Sequence, residues 1–175
     1  MKRRLLLAAT AITALAGCAG PQVSDYASQT PKLDLRSYFN GTLDAYGIFT
    51  DRSGKVVKRF TVLMVCSWTG DDGVLDESFS YSDGSTQKRI WRLRREADGR
   101  FSGQADDVVG AALGAQSGNA FQWAYTLALP VDGTVYNVQM DDWMYLVTDR
   151  VMLNKARMSK LGIHLGDVTL SFTKR

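Results

Sequence analysis

The sequence predicts an all-β domain that follows an N-terminal secretion signal. Apolar and polar residues alternate in a series of short runs, and Gly or Asp turns separate these runs. No long stretch shows the apolar period of about 3.6 residues that is typical of an amphipathic helix. These two observations favour a sandwich or a barrel over any helical fold.

The alternating runs predict nine strands, at residues 42–50, 56–68, 73–82, 86–95, 100–109, 119–129, 134–146, 150–157 and 165–173. Short turns between consecutive strands favour meander connections, which predict an antiparallel up-and-down barrel, lipocalin-like, with about 8–10 strands. An open sandwich is the alternative. The small, Gly-rich residues 110–118 are predicted to form a loop, and residues 152–161 are the best candidate for one or two turns of helix.

The N-terminus predicts a bacterial lipoprotein. Residues 2–4 are basic, and the apolar run after them ends in Leu15-Ala16-Gly17-Cys18. This arrangement is typical of a secretory signal, and Cys18 after Leu-Ala-Gly resembles the lipobox in which the thiol is acylated. The run is too short for the alternative, a transmembrane helix, because crossing the bilayer takes about 20 residues.

The chain is predicted to divide into a signal peptide at residues 1–17, a lipidated Cys18 with a tether through residue 35, and a barrel domain at residues 36–175. Ala19 follows the lipobox, whereas an Asp at this position tends to retain Gram-negative lipoproteins at the inner membrane. We therefore expect the protein at the outer membrane, facing the periplasm. Two or three acyl chains hold a protein there without a further membrane segment.

Composition argues against nucleic acid and metal as partners. The chain has 21 Lys and Arg against 18 Asp and Glu, and three of the basic residues belong to the signal peptide, so the mature chain is balanced. His164 is the only histidine, which excludes a His-rich metal site, and no phosphate-binding Gly motif occurs. The sequence predicts no cofactor. Cys66 lies in an apolar strand and is predicted to be buried.

Two turns predict a row of charged side chains. Residues 82–84 and 97–99 each fit a three-residue hairpin loop with Gly in the left-handed conformation. Extending the strands from these loops places Glu77, Arg89 and Asp107 in one row on the inward, apolar face. The row is either a structural ion-pair ladder or a cavity floor at which Arg89 binds a ligand. Two flanking carboxylates favour a polar ligand over a fatty acid.

A second row, of aromatic residues, either packs in the core or lines an apolar pocket. Phe121, Trp123 and Tyr125 share one face of a strand, and a three-residue turn at residues 131–133 would pair Phe121 with Trp143. An apolar wall with few polar groups is the usual composition of a ligand site. The predicted ligand-binding residues are Arg89, Glu77, Asp107, Trp91, Phe121, Trp123, Tyr125, Asp141 and Trp143.

Short motifs along the mature domain carry a family resemblance. They are Leu33-Asp34-Leu35, Tyr38-Phe39-Asn40-Gly41, Leu75-Asp76-Glu77-Ser78-Phe79, Arg89-Ile90-Trp91, Ala105-Asp106-Asp107-Val108-Val109-Gly110, Gly118-Asn119-Ala120 and Asp141-Asp142-Trp143-Met144-Tyr145. With these motifs the chain resembles the proteobacterial lipoproteins of domain-of-unknown-function family 3833. The resemblance implies a lipoprotein without assigned catalytic residues, and an association with fatty-acid-modifying enzymes.

These observations predict an outer-membrane lipoprotein that binds a lipid-like or amphipathic ligand or assists envelope lipid metabolism. One alternative is a small periplasmic enzyme, an isomerase or hydrolase, that uses Glu77, Asp107 or Asp141 as acid or base. A purely structural envelope protein is the other. An open cavity with a raised carboxyl pKa would favour the enzyme. A sealed barrel with a core filled by side chains would count against both ligand binding and catalysis.

Replacing Cys18 with Ser should release the protein from membranes or leave it unprocessed, because the acylated thiol is the predicted anchor. Cell fractionation with metabolic palmitate labelling measures both outcomes. Cys66→Ser is the matched control and should keep the label. Continued labelling of the Cys18→Ser protein would contradict the lipobox assignment.

Overall fold

The computed structural model describes residues 20–131 and 133–175; the predicted signal peptide, Cys18 and Asp132 of the predicted turn lie outside them. Ten antiparallel strands form a closed barrel in which each strand pairs with its sequence neighbours and β10 pairs with β1. A 3-10 turn at Val23–Tyr26 and the helix α1 at Leu35–Tyr38 precede β1 Gly41–Asp51, β2 Val56–Thr69, β3 Asp72–Tyr81, β4 Thr86–Arg95, β5 Phe101–Gln104, β6 Val108–Ser117, β7 Ala120–Val131, β8 Thr134–Leu146, β9 Val151–Lys160 and β10 Ile163–Lys174.

The prediction of an all-β, antiparallel, lipocalin-like barrel is confirmed, because sequential pairing closes the sheet on itself. Side-chain alternation explains why these residues form strands. In β2, Phe60, Val62, Met64 and Cys66 are buried, whereas the residues between them point to solvent. Among the described residues, no helix has the length and hydropathy needed to cross a bilayer.

Strand β6 replaces the predicted Gly-rich loop at residues 110–118, and that prediction was wrong. The small residues have a packing reason: a Cβ at Gly114 would lie 2.5 Å from Trp123 Cβ and 2.9 Å from the Phe121 ring, both on β7. Gly110, at φ +76°, lies where the register between β6 and β7 shifts, and this bulge requires the left-handed conformation. The predicted strand at 100–109 is likewise interrupted after β5, and residues 152–161 contribute to β9 rather than to a helix.

The segment before β1 closes one end of the barrel. Leu33, Leu35 and Phe39 are buried in the barrel core. The sequence composition had predicted that Leu33 and Leu35 belong to the tether. The Asp34 carboxylate caps the first turn of α1 by accepting backbone N–H groups. Trp68 Nε1 of β2 donates a hydrogen bond to the Phe39 carbonyl at 2.9 Å. We call this the closed end; the open end is the one where turns join β1 to β2, β3 to β4, β5 to β6, β7 to β8 and β9 to β10.

The 3-10 turn packs on the outer surface near the closed end. The Tyr26 ring lies 5.3 Å from the Tyr145 ring and 5.9 Å from the Trp143 ring, centroid to centroid. The Gly118 backbone approaches Tyr26 so closely that a Cβ at Gly118 would overlap the Tyr26 carbonyl. The Leu33 amide also donates to the Gly118 carbonyl at 2.8 Å. The predicted tether is therefore bound to the barrel from the 3-10 turn onward.

Phe39→Ala should lower the free energy of unfolding by about 3–5 kcal/mol, because it removes a fully buried ring from the closed end. Phe49→Ala is the matched control, since Phe49 is only half-buried on β1 near the open end, and it should cost less. Urea unfolding of both variants measures the difference. A negligible loss for Phe39→Ala would show that the closing segment does not unfold cooperatively with the barrel.

Candidate functional site

The interior contains the charged row that the sequence predicts. Glu77 on β3 pairs with Arg89 on β4, and Leu75 pairs with Trp91, as the turn at residues 82–84 requires. Asp107 lies in the turn between β5 and β6, because β5 ends before reaching it. The predicted strand pairing of Arg89 with Asp107 is therefore absent from the ladder, and their side chains make the contact instead.

Arg89 and Asp107 form a bidentate ion pair. Arg89 Nε donates to the two carboxylate oxygens at 3.1 and 2.9 Å, and Nη2 donates to Oδ2 at 2.7 Å. This geometry matches the planar fork of the guanidinium to the carboxylate. Glu77 is more distant, with Oε2 at 3.9 Å from Arg89 Nη1, which is beyond hydrogen-bond range. Arg89 therefore hydrogen-bonds to Asp107 and interacts with Glu77 through charge alone.

This incomplete pairing affects the protonation of Glu77. Burial raises the pKa of Glu77 to about 7. The charge of Arg89 opposes the shift, whereas the carboxylates of Asp107 and Asp142 add to it. Near neutral pH, Glu77 is therefore divided between its neutral and its charged form.

A second cluster of polar side chains, which the sequence did not predict, lies inside the barrel on β8 and β9. Asp142 and Asn154 are both buried, and Asn154 Nδ2 donates to the Asp142 carboxylate. Burial raises the pKa of Asp142 to about 6, and the side chains of Trp123 and Asn154 oppose this shift. Trp123 Nε1 lowers the pKa of Asp142 because it lies beside the carboxylate, although the two do not form a hydrogen bond of normal geometry.

Asp142 faces inward because the turn between β7 and β8 is shorter than the sequence suggests. Val131 pairs directly with Thr134, and Trp123 pairs with Asp142. The predicted three-residue turn would instead pair Trp123 with Asp141. A slip of one residue exchanges the two faces of a strand, so all of β8 is reversed relative to the prediction.

Asp141 and Trp143 consequently lie on the outer face of the barrel. Asp141 accepts a hydrogen bond from Gln122 Nε2 at 2.8 Å. Trp143 stacks on Tyr145, with centroids 6.0 Å apart, and contacts Tyr26 of the 3-10 turn. The prediction that these two residues border the interior aromatic row was wrong.

The interior aromatic residues pack against one another. The ring centroids of Trp91 and Trp123 are 4.5 Å apart, Tyr125 lies 5.3 Å from Trp91, and Phe121 lies 5.5 Å from Trp123. A void of about 30 Å³ remains beside Glu77, Trp91 and Trp123. This volume suits a single water molecule, so the aromatic row fills the core around it instead of walling a large pocket.

The charged row reaches solvent at the open end. The side chains of Arg89 and Asp107 are 17% and 25% exposed. Gln87, one inward position nearer the rim, is exposed and accepts a hydrogen bond from the Tyr81 hydroxyl at 2.7 Å. Its Nε2 also lies 3.5 Å from Asp107 Oδ2. A molecule that approaches this end meets a polar surface formed by these four side chains.

A larger concavity, about 770 Å³, lies beside the open-end surface and shares Tyr81 with it. It is a shallow depression over β1, β2, β3 and β10, bounded mainly by outward side chains such as Tyr46 and Arg59. Its walls include no member of the charged row. The partly exposed Arg89–Asp107 pair at the open end is therefore the site at which charged side chains can be reached from solvent.

The fold and its interior define a lipocalin-like barrel that its own N-terminal segment closes at one end. A family model described as "Protein of unknown function (DUF3833)" matches residues 12–174. The chain belongs to this family, as its motifs indicate. A comparison with curated proteins finds no match.

Two similar solved structures share little sequence with this chain. The S-type phycobiliprotein lyase CPES from Guillardia theta is similar, with a TM-score of 0.61 and 8% identity, over 89% of this chain and 98% of that chain. Lobster apocrustacyanin A1 gives a TM-score of 0.44 and 15% identity, over 91% of this chain and 72% of that chain. At such identities, the likeness to the lyase concerns the barrel fold alone.

Arg89→Met should lower the free energy of unfolding at neutral pH by about 3–5 kcal/mol, because it leaves the carboxylates of Asp107 and Glu77 uncompensated. The loss should shrink as the pH falls, since Glu77, whose pKa is raised to about 7 by burial, becomes protonated and no longer needs a counter-charge. Urea unfolding between neutral and acidic pH measures this dependence.

Arg92→Met is the matched control, because Arg92 lies on the same strand but is exposed on the outer face, and it should change stability little. Adding Glu77→Gln to Arg89→Met should recover part of the loss. Wild-type stability for Arg89→Met at neutral pH would show that the ion pair contributes nothing to the fold.

Proposed function

We propose that the chain is a lipoprotein of the outer membrane, on its periplasmic face, whose barrel binds a small amphipathic molecule at the open end. The observation that carries the binding proposal is the partly exposed Arg89–Asp107 pair at this end. The opposite end is closed by Leu35 and Phe39, so the open end is the route to the charged row. The anchor rests on the lipobox ending in Cys18.

The filled core determines where the ligand lies. The void beside Glu77 holds about one water molecule, so an alkyl chain does not fit inside the barrel as it stands. The polar group of the ligand therefore contacts Arg89 and Asp107 from the rim. Its apolar part lies against the half-buried Leu129 and Met158, which pack on the core from strands that end at the same rim.

The charges of the row favour a ligand group that donates hydrogen bonds. Arg89 Nε and Nη2 are already engaged by Asp107, whereas Glu77 has no hydrogen bond from Arg89. The row contains one guanidinium and two carboxyl groups, so it has no excess positive charge to offer an anion. An alcohol or an amine can donate to the carboxylates, whereas a carboxylate would add a further negative charge.

An acid–base enzyme is the second candidate. The pKa of Glu77 is raised to about 7 and that of Asp142 to about 6, which are values suited to proton transfer near neutral pH. Among the described residues, however, the space at Glu77 admits only a water-sized molecule. Binding at the open end accounts for the geometry without requiring the interior to rearrange.

Native mass spectrometry of the lipoprotein released from its own membranes tests the proposal. A retained small molecule is expected, and added monoacylglycerol should bind more tightly than a fatty acid of the same chain length. Asp107→Asn should weaken monoacylglycerol binding about tenfold, because it removes a charged hydrogen-bond acceptor. The neighbouring Asp106 is exposed, and Asp106→Asn should leave binding unchanged.

Two results would contradict different parts of this proposal. No retained molecule and no binding of either amphiphile would exclude ligand binding at the open end. Equal binding of the monoacylglycerol and the fatty acid would contradict the preference for a donor group.

A further inference from the structure

Apolar side chains are exposed at the open end, most strongly at the β9–β10 hairpin. Leu161, at the tip of the β9–β10 hairpin, is 89% exposed, and Ile163 beside it is 62% exposed. The neighbouring β7–β8 hairpin also exposes apolar residues, among them Val135. The two tips adjoin, because Lys160 Nζ of β9 lies 4.5 Å from the centre of the Tyr136 ring of β8. Together they form one apolar edge, which we call the hairpin edge.

Leu161 is unfavourable at this position in a barrel surrounded by water. Its φ is +51°, in the left-handed region that favours Gly or Asn. With Gly162 it forms a two-residue turn, for which Asn-Gly is the usual pair. An exposed leucine here combines backbone strain with apolar surface in water. Both features favour an apolar environment over water at the hairpin edge.

The N-terminal segment leaves the barrel on the same side. The 3-10 turn packs on β6 and β7, and its Tyr26 reaches the outward rings of Trp143 and Tyr145 on β8. The described chain begins at Gly20, just before this turn. Cys18 precedes Gly20 by two residues, and two residues span at most about 7 Å. An acyl anchor at Cys18 therefore keeps this outer face close to the bilayer.

We propose that the barrel lies on its side on the bilayer that holds the acyl chains, with the outer face of β7 to β9 toward the lipid and the hairpin edge inserted among the headgroups. This inference rests on the anchor in the proposed function. The aromatic residues around Tyr26 lie at one end of the contact, and Leu161 and Ile163 lie at the other. Such an arrangement of aromatic and aliphatic side chains is typical of surfaces that rest in the interface.

Apolar insertion, and not charge, holds the face on the bilayer. Lys155 and Arg157 are the outward basic residues of β9, and Arg157 is the pairing neighbour of Asp141 on β8 and Asp167 on β10. Across β8, β9 and β10 these outward charges are two basic and two acidic, and Lys160 at the hairpin edge adds one basic group, so the net charge of the face is small. We expect docking to be insensitive to salt, unlike the binding of a polybasic surface.

Depth-dependent quenching of a fluorescent label tests the orientation. Leu161→Cys is introduced into the full chain, and the purified lipoprotein is labelled and reconstituted into phosphatidylcholine vesicles that contain a nitroxide-labelled lipid. The natural thiols do not compete, since Cys66 is buried and Cys18 is acylated under the proposal. Thr86→Cys is the matched control, because Thr86 is exposed at the same end of the barrel but on β4, on the opposite side of the ring.

The label at position 161 should be quenched about twofold or more beyond the label at position 86, because interfacial insertion brings it within reach of the nitroxide. High salt should not change this ratio. Failure of the protein to float with the vesicles would contradict the anchor. Flotation with equal quenching at the two positions would overturn the side-on orientation. A label at position 161 that is shielded from water but not quenched by lipid would assign the hairpin edge to a protein partner and also overturn the proposal.

Discussion

Alternation of side chains between the two faces of a closed sheet is the constraint on which this structure depends. Asp141 and Asp142 are adjacent in the chain, yet the barrel gives them opposite environments. Asp141 is exposed and bonded to Gln122 on the outer surface. Asp142 is buried beside Asn154, and burial raises its pKa to about 6. A polar side chain on the inner face therefore needs a partner. Arg89 and Asp107 pair with each other near the open end, where both are partly exposed to solvent.

The same constraint explains how far the sequence could predict the site. The turn at residues 82–84 has three residues, as its sequence suggests, and the pairing of Glu77 with Arg89 follows directly from it. The turn after Val131 contains a similar Asp-Gly pair but is one residue shorter. A Gly marks a turn without stating how many residues the turn contains. Because of this one-residue difference, Asp142 faces the interior and Asp141 faces the outside, the reverse of the prediction.

Packing between distant segments accounts for what the sequence could not show. Small residues such as Gly114 are typical of loops, but here they make room for the aromatic ring of Phe121 on the next strand. Leu33 and Leu35 are two apolar residues in a polar segment, and they are buried because the closed end of the barrel receives them. The pattern of aromatic residues predicted an inward row, whereas the size of the remaining void depends on how Trp91 and Trp123 pack together.

The pairing of β1 with β10 has a consequence for when the protein folds. Leu43 of β1 pairs with Lys174 of β10, so this ladder joins segments at opposite ends of the barrel sequence. Contacts of such long separation form slowly, and the ring cannot close before β10 is present. A chain made from its N-terminus therefore leaves the edge of β1 unpaired until the final strand arrives. The open edge of the sheet is protected only when this last ladder forms.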